Sequence, residues 1–193
     1  MALEPKGRPT RTADAESEAG WVARLREGDP AAFDAMYDAH RARLYTFLLR
    51  LTREEPLARE LAQETWLRLT ANARRLAPDT EPGAWLFRVA RNLFLSHRRW
   101  ALVHEAGLTA LRHLWPARDA ESPLERVAAD ALERRLEHAL AALPLRYREV
   151  VLLVCVEGYP ASQVAAMLEL TPAAVRKRLE RGRAALASAL EEP

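Results

Sequence analysis

Cysteine and glycine are scarce in this sequence. Its 193 residues include one cysteine and seven glycines, and no Asn-Gly or Asp-Gly pair occurs. A single cysteine excludes an internal disulfide and leaves no partner for a thiolate metal site or a redox pair. Because Cys155 lies in an apolar run, we predict that it is a buried apolar residue. Without these hairpin turn pairs, an antiparallel sheet is not predicted either.

Long apolar runs are also missing. No stretch approaches the ~18 residues that a transmembrane helix needs. The N-terminal residues are polar and lack the apolar segment of a secretory signal. We therefore expect a cytoplasmic protein that does not insert into a membrane.

No sequence pattern points to catalysis. The chain has no glycine-rich phosphate loop, no nucleophile elbow and no paired acids in a plausible cleft. Its five histidines are scattered, and no two of them have ligand spacing within one helix. A metal site built from His104 and His113 is the alternative. We expect no enzymatic activity, no metal and no cofactor.

The residues that are abundant are helix formers. Apolar residues make up 49% of the chain and charged residues 29%, with Ala, Leu, Arg and Glu prominent. We predict an all-α fold, and the length allows one or two domains. Composition favours two small helical domains, at 19–100 and 128–191, joined by a flexible linker at 101–127. Residues 1–18 are predicted to be a disordered tail.

Proline after a polar residue predicts the start of several helices. These pairs are Asp29-Pro30, Glu55-Pro56, Glu81-Pro82 and Thr171-Pro172. Asp29 and Thr171 also carry side chains suited to N-caps, and Gly158 suits the left-handed end of a helix. A short helix over 160–168, a tight turn and a basic helix from Thr171 form the pattern of a helix-turn-helix.

The helix predicted over 56–76 has two contrasting faces. The predicted core face consists of Ala58, Leu61, Ala62, Thr65, Trp66 and Leu69. The opposite face consists of Glu60, Gln63, Glu64 and Leu67. Two acids, an amide and an exposed leucine indicate a protein-docking surface, and an ordinary solvated face is the alternative.

The helix predicted over 82–99 is basic on one side. The segment 88–99 contains four arginines and no acid: Arg88, Arg91, Arg98 and Arg99. Arg88, Arg91, Asn92, Leu95 and Arg99 lie opposite the core stripe of Leu86, Val89, Ala90, Leu93 and His97. Arginines beside an asparagine can pair with phosphates and hydrogen-bond an exposed base edge. Trp85 is predicted to pack at the helix start, with base stacking as the alternative.

The last helix is predicted to pack through Val175, Leu179, Gly182, Leu186 and Leu190. Ala173, Lys177, Glu180, Arg181 and Ala184 face away from that stripe, with Arg176 beside them. Arg176 and Lys177 lie in the first two turns, where recognition helices contact base edges. Arg178 and Arg183 are predicted to reach phosphates. Glu180 is predicted to pair with Arg176 or Arg183, and contact with a cytosine is the alternative.

Taken in order, these segments resemble an extracytoplasmic-function sigma factor of the sigma-70 family. The resemblance runs from Trp21 to Leu190 and rests on five segments. They are Gly28-Asp-Pro-Ala-Ala-Phe33, Ala58-Arg-Glu-Leu-Ala-Gln-Glu-Thr-Trp66, Trp85-Leu-Phe-Arg-Val-Ala-Arg-Asn92 followed by His97-Arg-Arg99, Leu143-Pro144 followed by Glu157-Gly-Tyr159, and Val175-Arg-Lys-Arg-Leu-Glu-Arg-Gly-Arg183.

The resemblance implies a transcription initiation factor with three binding surfaces. The first domain is then region 2, whose Glu60, Gln63, Glu64 and Leu67 contact core RNA polymerase at its β′ subunit. Its basic helix, with Arg88, Arg91, Asn92, Arg98 and Arg99, binds the −10 strand. The second domain is region 4, whose helix-turn-helix reads the −35 element through Thr171, Ala173, Arg176, Lys177, Arg178, Glu180 and Arg181.

The resemblance also implies partners. Core RNA polymerase, through its β′ and β subunits, and promoter DNA are expected, together with an anti-sigma factor that clamps both domains. The chain is expected to be a monomer without them. Two alternatives are a stand-alone helix-turn-helix regulator, which would bind DNA without polymerase, and a helical adaptor that makes no DNA contact.

The sequence departs from the family at a few positions. Glu60 replaces the usual aspartate, and Glu169 stands in the helix-turn-helix where glycine is common. Glu169 must therefore adopt a tight turn without glycine's freedom. Ala174 replaces a common threonine, and Glu180 replaces a histidine or neutral residue. Gly182 inside a helix is expected to cost about 0.5–1 kcal/mol relative to alanine.

Overall fold

The computed structural model describes residues 20–108 and 131–191, and every described element is helical. The predicted all-α fold is therefore confirmed. The predicted tail and most of the predicted linker lie outside the described residues, as do His113 and the side chain of His104. Over the part of the chain described, no helix has an apolar stretch long enough to cross a bilayer. The same residues contain no group of side chains arranged to hold a metal ion.

The first helical module is a bundle of four helices. They are α1 over residues 20–27, α2 Pro30–Thr52, α3 Glu55–Asn72, which continues into a 3-10 turn at Ala73–Arg75, and α4 Pro82–Leu108. The predicted N-cap at Asp29 is confirmed, since its carboxylate accepts a hydrogen bond from the Ala31 amide at 2.9 Å. Hydrophobic side chains of α2, α3 and α4 meet in one core. The Phe47 and Phe87 rings pack edge to face there, with centroids 5.1 Å apart.

The second module contains the predicted helix-turn-helix. Its elements are α5 Ala131–Ala142, α6 Leu145–Val151, which continues into a π turn at Leu152–Val156, α7 Ala161–Leu168 and α8 Pro172–Glu191. Glu169 takes the left-handed conformation between α7 and α8, with φ 57°, as the sequence requires. Thr171 caps α8, because its hydroxyl accepts from the Ala174 amide at 3.1 Å. Gly158 is also left-handed, with φ 78°.

Two sequence-based expectations about the elements were wrong. Cys155 is exposed because the π turn changes the register of the apolar run, so that Glu157 turns inward instead. Helix α4 continues to Leu108, past the end that was predicted for it at 99. Its sequence has no proline or glycine between positions 84 and 106 to stop it.

Gly182 lies on the predicted packing stripe of α8 and is buried, and the structure shows why a glycine stands there. A Cβ at this position would lie 2.7 Å from Val151 Cγ2 and 3.4 Å from Tyr147 Cβ. Since α6 and α8 pack against each other here, only glycine permits their approach.

We expect Gly182→Ala to lower the free energy of unfolding. Overpacking costs about 1–3 kcal/mol, which outweighs the roughly 0.5–1 kcal/mol that alanine gains over glycine in a helix. Urea unfolding followed by circular dichroism measures the difference. Ala185→Gly, at an exposed position of the same helix, is the control that changes helix propensity alone. A Gly182→Ala chain more stable than the parent would contradict this packing account.

Candidate functional surfaces

An open groove of about 750 Å³ runs between α2 and α3. Its floor is aromatic: the Tyr37 and Trp66 rings are 4.9 Å apart, and Phe33 packs on both. Gln63 and Leu67 of the predicted docking face line its α3 side. Leu67 is 55% exposed, although it is a large apolar side chain. An exposed leucine beside an aromatic floor is a typical anchor position for a partner helix.

The two acids of that predicted face lie on α3 but outside the lining of the groove. Glu60 is exposed and Glu64 is half-buried. The Glu64 carboxylate accepts a hydrogen bond from Arg68 Nε at 2.9 Å, one helical turn further along α3. The core face of α3 is confirmed, except that Ala62 is only half-buried and lines the groove.

The α2 side of the groove was missed by sequence reasoning. Tyr37, Arg41 and Tyr45 line it, and Tyr37 is 39% exposed. The signal was available in the sequence, since positions 33, 37, 41 and 45 repeat every four residues and so share one helix face. Phe33 and Tyr37 also lie in an apolar stripe with Met36 and Leu44, and that spacing usually indicates a core face.

The basic side of α4 is split by the structure. Arg88, Asn92 and Arg99 are exposed on one side of the helix. Arg98 is exposed as well, and its guanidinium lies 5.8 Å from the centre of the Phe94 ring. Arg91 is different: its side chain is only 15% exposed and turns toward the second module. Trp85 is half-buried near the helix start, beside Arg88 in a cleft that faces α7.

The outward face of α8 is exposed as predicted. Its exposed members are Thr171, Ala173, Arg176, Lys177, Glu180 and Arg181. In the part of the chain that the structure describes, Glu180 pairs with neither Arg176 nor Arg183, so the predicted helical ion pair is wrong. The Glu180 side chain is exposed to solvent instead. An exposed ion pair at this position would contribute little stability. Hydrogen bonds from Arg146 and Arg181 lower the pKa of the Tyr147 hydroxyl beside this face.

Three arginines of the first module pair with three buried glutamates of the second. Arg43 Nε donates to Glu157 at 3.0 Å, Arg50 Nε to Glu137 at 3.1 Å, and Arg91 Nε to Glu149 at 3.0 Å. The three glutamates are only 7%, 6% and 3% exposed. Sequence reasoning missed these pairs because each joins residues at least 58 positions apart.

A central glutamate and a central arginine extend this contact. Glu149 also accepts from Arg178 Nη1 of α8 at 3.5 Å. Arg148 reaches across to the Arg50 carbonyl at 3.2 Å, and burial lowers its pKa to about 10, so it stays charged at neutral pH. Burial raises the pKa of Glu157 despite the nearby charge of Arg43. The Phe87 and Tyr159 rings, with centroids 5.7 Å apart, add an apolar contact between the modules.

Comparison with known proteins identifies both modules. The family model for Sigma-70 region 2 matches residues 36–101, and that for Sigma-70 region 4 matches residues 133–186. The RNA polymerase sigma factor CarQ of Myxococcus xanthus is 32% identical over 83% of this chain and 90% of its own length. The ECF RNA polymerase sigma factor SigL of Mycobacterium tuberculosis is 30% identical over 85% and 92%.

Two solved structures share the fold. The sigma factor RpoE, in complex with the anti-sigma factor NepR from Bartonella quintana, aligns with a TM-score of 0.69 and 22% identity, over 83% of this chain and 97% of that one. CnrH, in complex with the cytosolic domain of CnrY, aligns with a TM-score of 0.67 and 22% identity, over 91% and 97%.

A helical module with an exposed aromatic groove, followed by a helix-turn-helix module with a basic recognition helix, defines a two-module transcription factor. The family matches make the assignment specific: the chain belongs to the extracytoplasmic-function sigma factors of the sigma-70 family. It is an RNA polymerase sigma factor.

Proposed function

We propose that the groove between α2 and α3 is where this sigma factor holds core RNA polymerase. The observation that supports this most directly is the exposed Leu67 above the aromatic floor, with Glu60 and Glu64 beside it. An apolar anchor with an acidic margin suits a basic, amphipathic helix of the β′ subunit. Gln63 lies at the same edge and can hydrogen-bond to the partner backbone.

Promoter recognition is assigned to the two other surfaces. On α4, Arg88, Arg91, Asn92, Arg98 and Arg99 are proposed to bind the −10 strand, with arginines on phosphates and Asn92 on a base edge. Binding an exposed strand more tightly than the duplex favours melting without any chemistry by the protein.

The −35 element is proposed to be read by α8 in the major groove. Arg176 and Lys177 lie in its first two turns, and the small side chain of Ala173 permits close approach. The remaining proposed contacts of this helix are Thr171, Arg178, Glu180 and Arg181. The proposed division into region 2 at 19–100, linker at 101–127 and region 4 at 128–191 follows from this assignment.

An anti-sigma factor is proposed as the regulatory partner. Both solved structures of similar fold are described as complexes, one with the anti-sigma factor NepR and one with the cytosolic domain of CnrY. We further propose that the chain acts in the cytoplasm, is a monomer when free, and carries out no chemical step.

Co-migration with core polymerase tests the proposed function. We expect the purified chain and bacterial core RNA polymerase to elute from gel filtration as a 1:1 complex at moderate salt. The excess of free chain should elute later, as a monomer. A properly folded chain that never co-migrates would contradict the proposal and favour a stand-alone helix-turn-helix regulator.

A further inference from the structure

One buried carboxylate contacts both proposed DNA-binding surfaces. Glu149 of α6 accepts from Arg91 Nε at 3.0 Å and from Arg178 Nη1 at 3.5 Å. Arg91 belongs to the proposed −10 surface on α4, and Arg178 to the proposed −35 helix α8. Glu149 is only 3% exposed, so both arginines turn inward to reach it, with side chains 15% and 30% exposed.

This contact depends on the modules being packed together. Arg178 and Glu149 belong to the same module, but Arg91 reaches Glu149 from the other one. The pairs Arg50–Glu137 and Arg43–Glu157 cross the same interface. Separation of the modules would expose these acids to water and release Arg91 from its partner.

We propose that Glu149 is an internal counter-ion that competes with promoter DNA. In the closed chain its carboxylate accepts hydrogen bonds from the guanidinium groups of Arg91 and Arg178. These groups would otherwise bind DNA phosphates. The chain by itself therefore presents a weakened DNA surface, and opening of the module interface restores it. This inference rests on the proposed function, since it takes Arg91 and Arg178 as DNA contacts.

Arg91 can exchange the Glu149 carboxylate for a DNA phosphate. A buried, hydrogen-bonded ion pair is screened by salt much less than an exposed one, and leaving one partner buried and unpaired is costly. Arg91 will therefore leave Glu149 when another anion replaces it, or when opening of the interface exposes both groups to water. A phosphate oxygen offers an arginine the same charge-assisted hydrogen bond.

Two matched substitutions test the proposal. Glu149→Gln and Glu137→Gln each remove one negative charge from a buried glutamate of the second module that is paired across the interface. Only Glu149 contacts proposed DNA residues. Fluorescence anisotropy with a labelled random-sequence DNA duplex measures affinity over a series of salt concentrations, without polymerase and without a known promoter.

We expect Glu149→Gln to bind the duplex several-fold more tightly at low salt. Its plot of log affinity against log salt should be steeper by roughly 0.9 for each phosphate contact regained. Glu137→Gln should keep the slope of the parent chain, because Arg91 and Arg178 stay on Glu149. Equal slopes for all three chains would overturn the proposal. An equal increase in slope for Glu149→Gln and Glu137→Gln would overturn it as well.

A measurement on the unmodified chain covers the case in which Glu149→Gln does not fold. Phenylglyoxal modifies accessible arginines, and mass spectrometry reports the rate at each position. We expect Arg91 to react several-fold more slowly than the exposed Arg176, and to react faster once core polymerase is added. An Arg91 that reacts as fast as Arg176 in the free chain would refute the closed state.

Failure of this inference is distinguishable from failure of the proposed function. The duplex assay contains no polymerase, whereas co-migration with core polymerase does not depend on Glu149. A chain that binds polymerase, yet shows unchanged slopes in the duplex assay, would keep its proposed function and lose the internal counter-ion.

Discussion

Glu64→Lys is expected to weaken binding to core RNA polymerase by about thirtyfold or more, because like charges placed together in an interface cost about 2 kcal/mol or more. The substitution places a cation on α3 next to Gln63, which lines the groove where a basic partner helix is proposed to lie. It also removes the hydrogen bond from Arg68. That pair is largely exposed, so its loss contributes little to stability.

Competition binding to core polymerase measures this effect. Glu27→Lys is the matched control, since Glu27 is an exposed acid of the same module that lies on α1, outside the proposed polymerase-binding face of α3. The control should bind as the parent does. Binding of random-sequence duplex by Glu64→Lys should not fall, because its proposed DNA surfaces are untouched. Equal losses for Glu64→Lys and Glu27→Lys would show that net charge, and not this face, determines polymerase binding.

The second large effect is expected from Arg176→Ala combined with Lys177→Ala. We expect initiation at promoters with a −35 element to fall by about ten- to a hundredfold, since a good base contact contributes about 1–3 kcal/mol. Both side chains are exposed on α8, so their truncation should leave the fold and the polymerase affinity unchanged.

Run-off transcription on a promoter used by the parent chain measures this second effect. Arg134→Ala is the control, because Arg134 is an exposed cation of the same module that lies on α5 and not on the recognition helix. The control should retain the parent's activity. If the double variant lost polymerase binding and transcription together, the assignment of separate surfaces would be wrong.

Local chemistry made the helix starts predictable from sequence. Asp29 and Thr171 cap their helices through hydrogen bonds to amides two and three residues ahead, and the following prolines fix the first turn. The buried side of α3 was equally predictable, since its apolar residues recur with the period of a helix. Glu169 was expected to take a tight turn because glycine is common at its place in the family, and its φ of 57° provides that turn.

Tertiary context decided the features that could not be predicted. The exposure of Cys155 depends on a π turn, and no residue type in the sequence indicates such a turn. Glu137 is buried because Arg50 of another module meets it, while the apolar Leu132 on the same helix remains exposed. Such pairings join distant parts of the chain and leave no periodic signal in either partner.

The candidate surfaces were predictable only in part. Exposure of the acidic face of α3 and of the outward face of α8 followed from helical periodicity. The α2 half of the groove did not, because Tyr37 has the spacing of a core residue and its exposure depends on how α3 packs beside it. Arg91 has the sequence context of a DNA contact, and only the three-dimensional packing reveals that Glu149 holds it.

Transcription by reconstituted polymerase tests the central claim most directly. Core polymerase would be incubated with genomic DNA from the organism that encodes this chain, with the parent, with Glu64→Lys or with the Arg176→Ala and Lys177→Ala chain, and transcript starts would be sequenced. The account predicts a discrete set of starts that share −10 and −35 elements and require the parent chain. It also predicts that both variants lose these starts and that only Glu64→Lys loses polymerase binding. Starts that are the same with and without the parent chain would contradict the account.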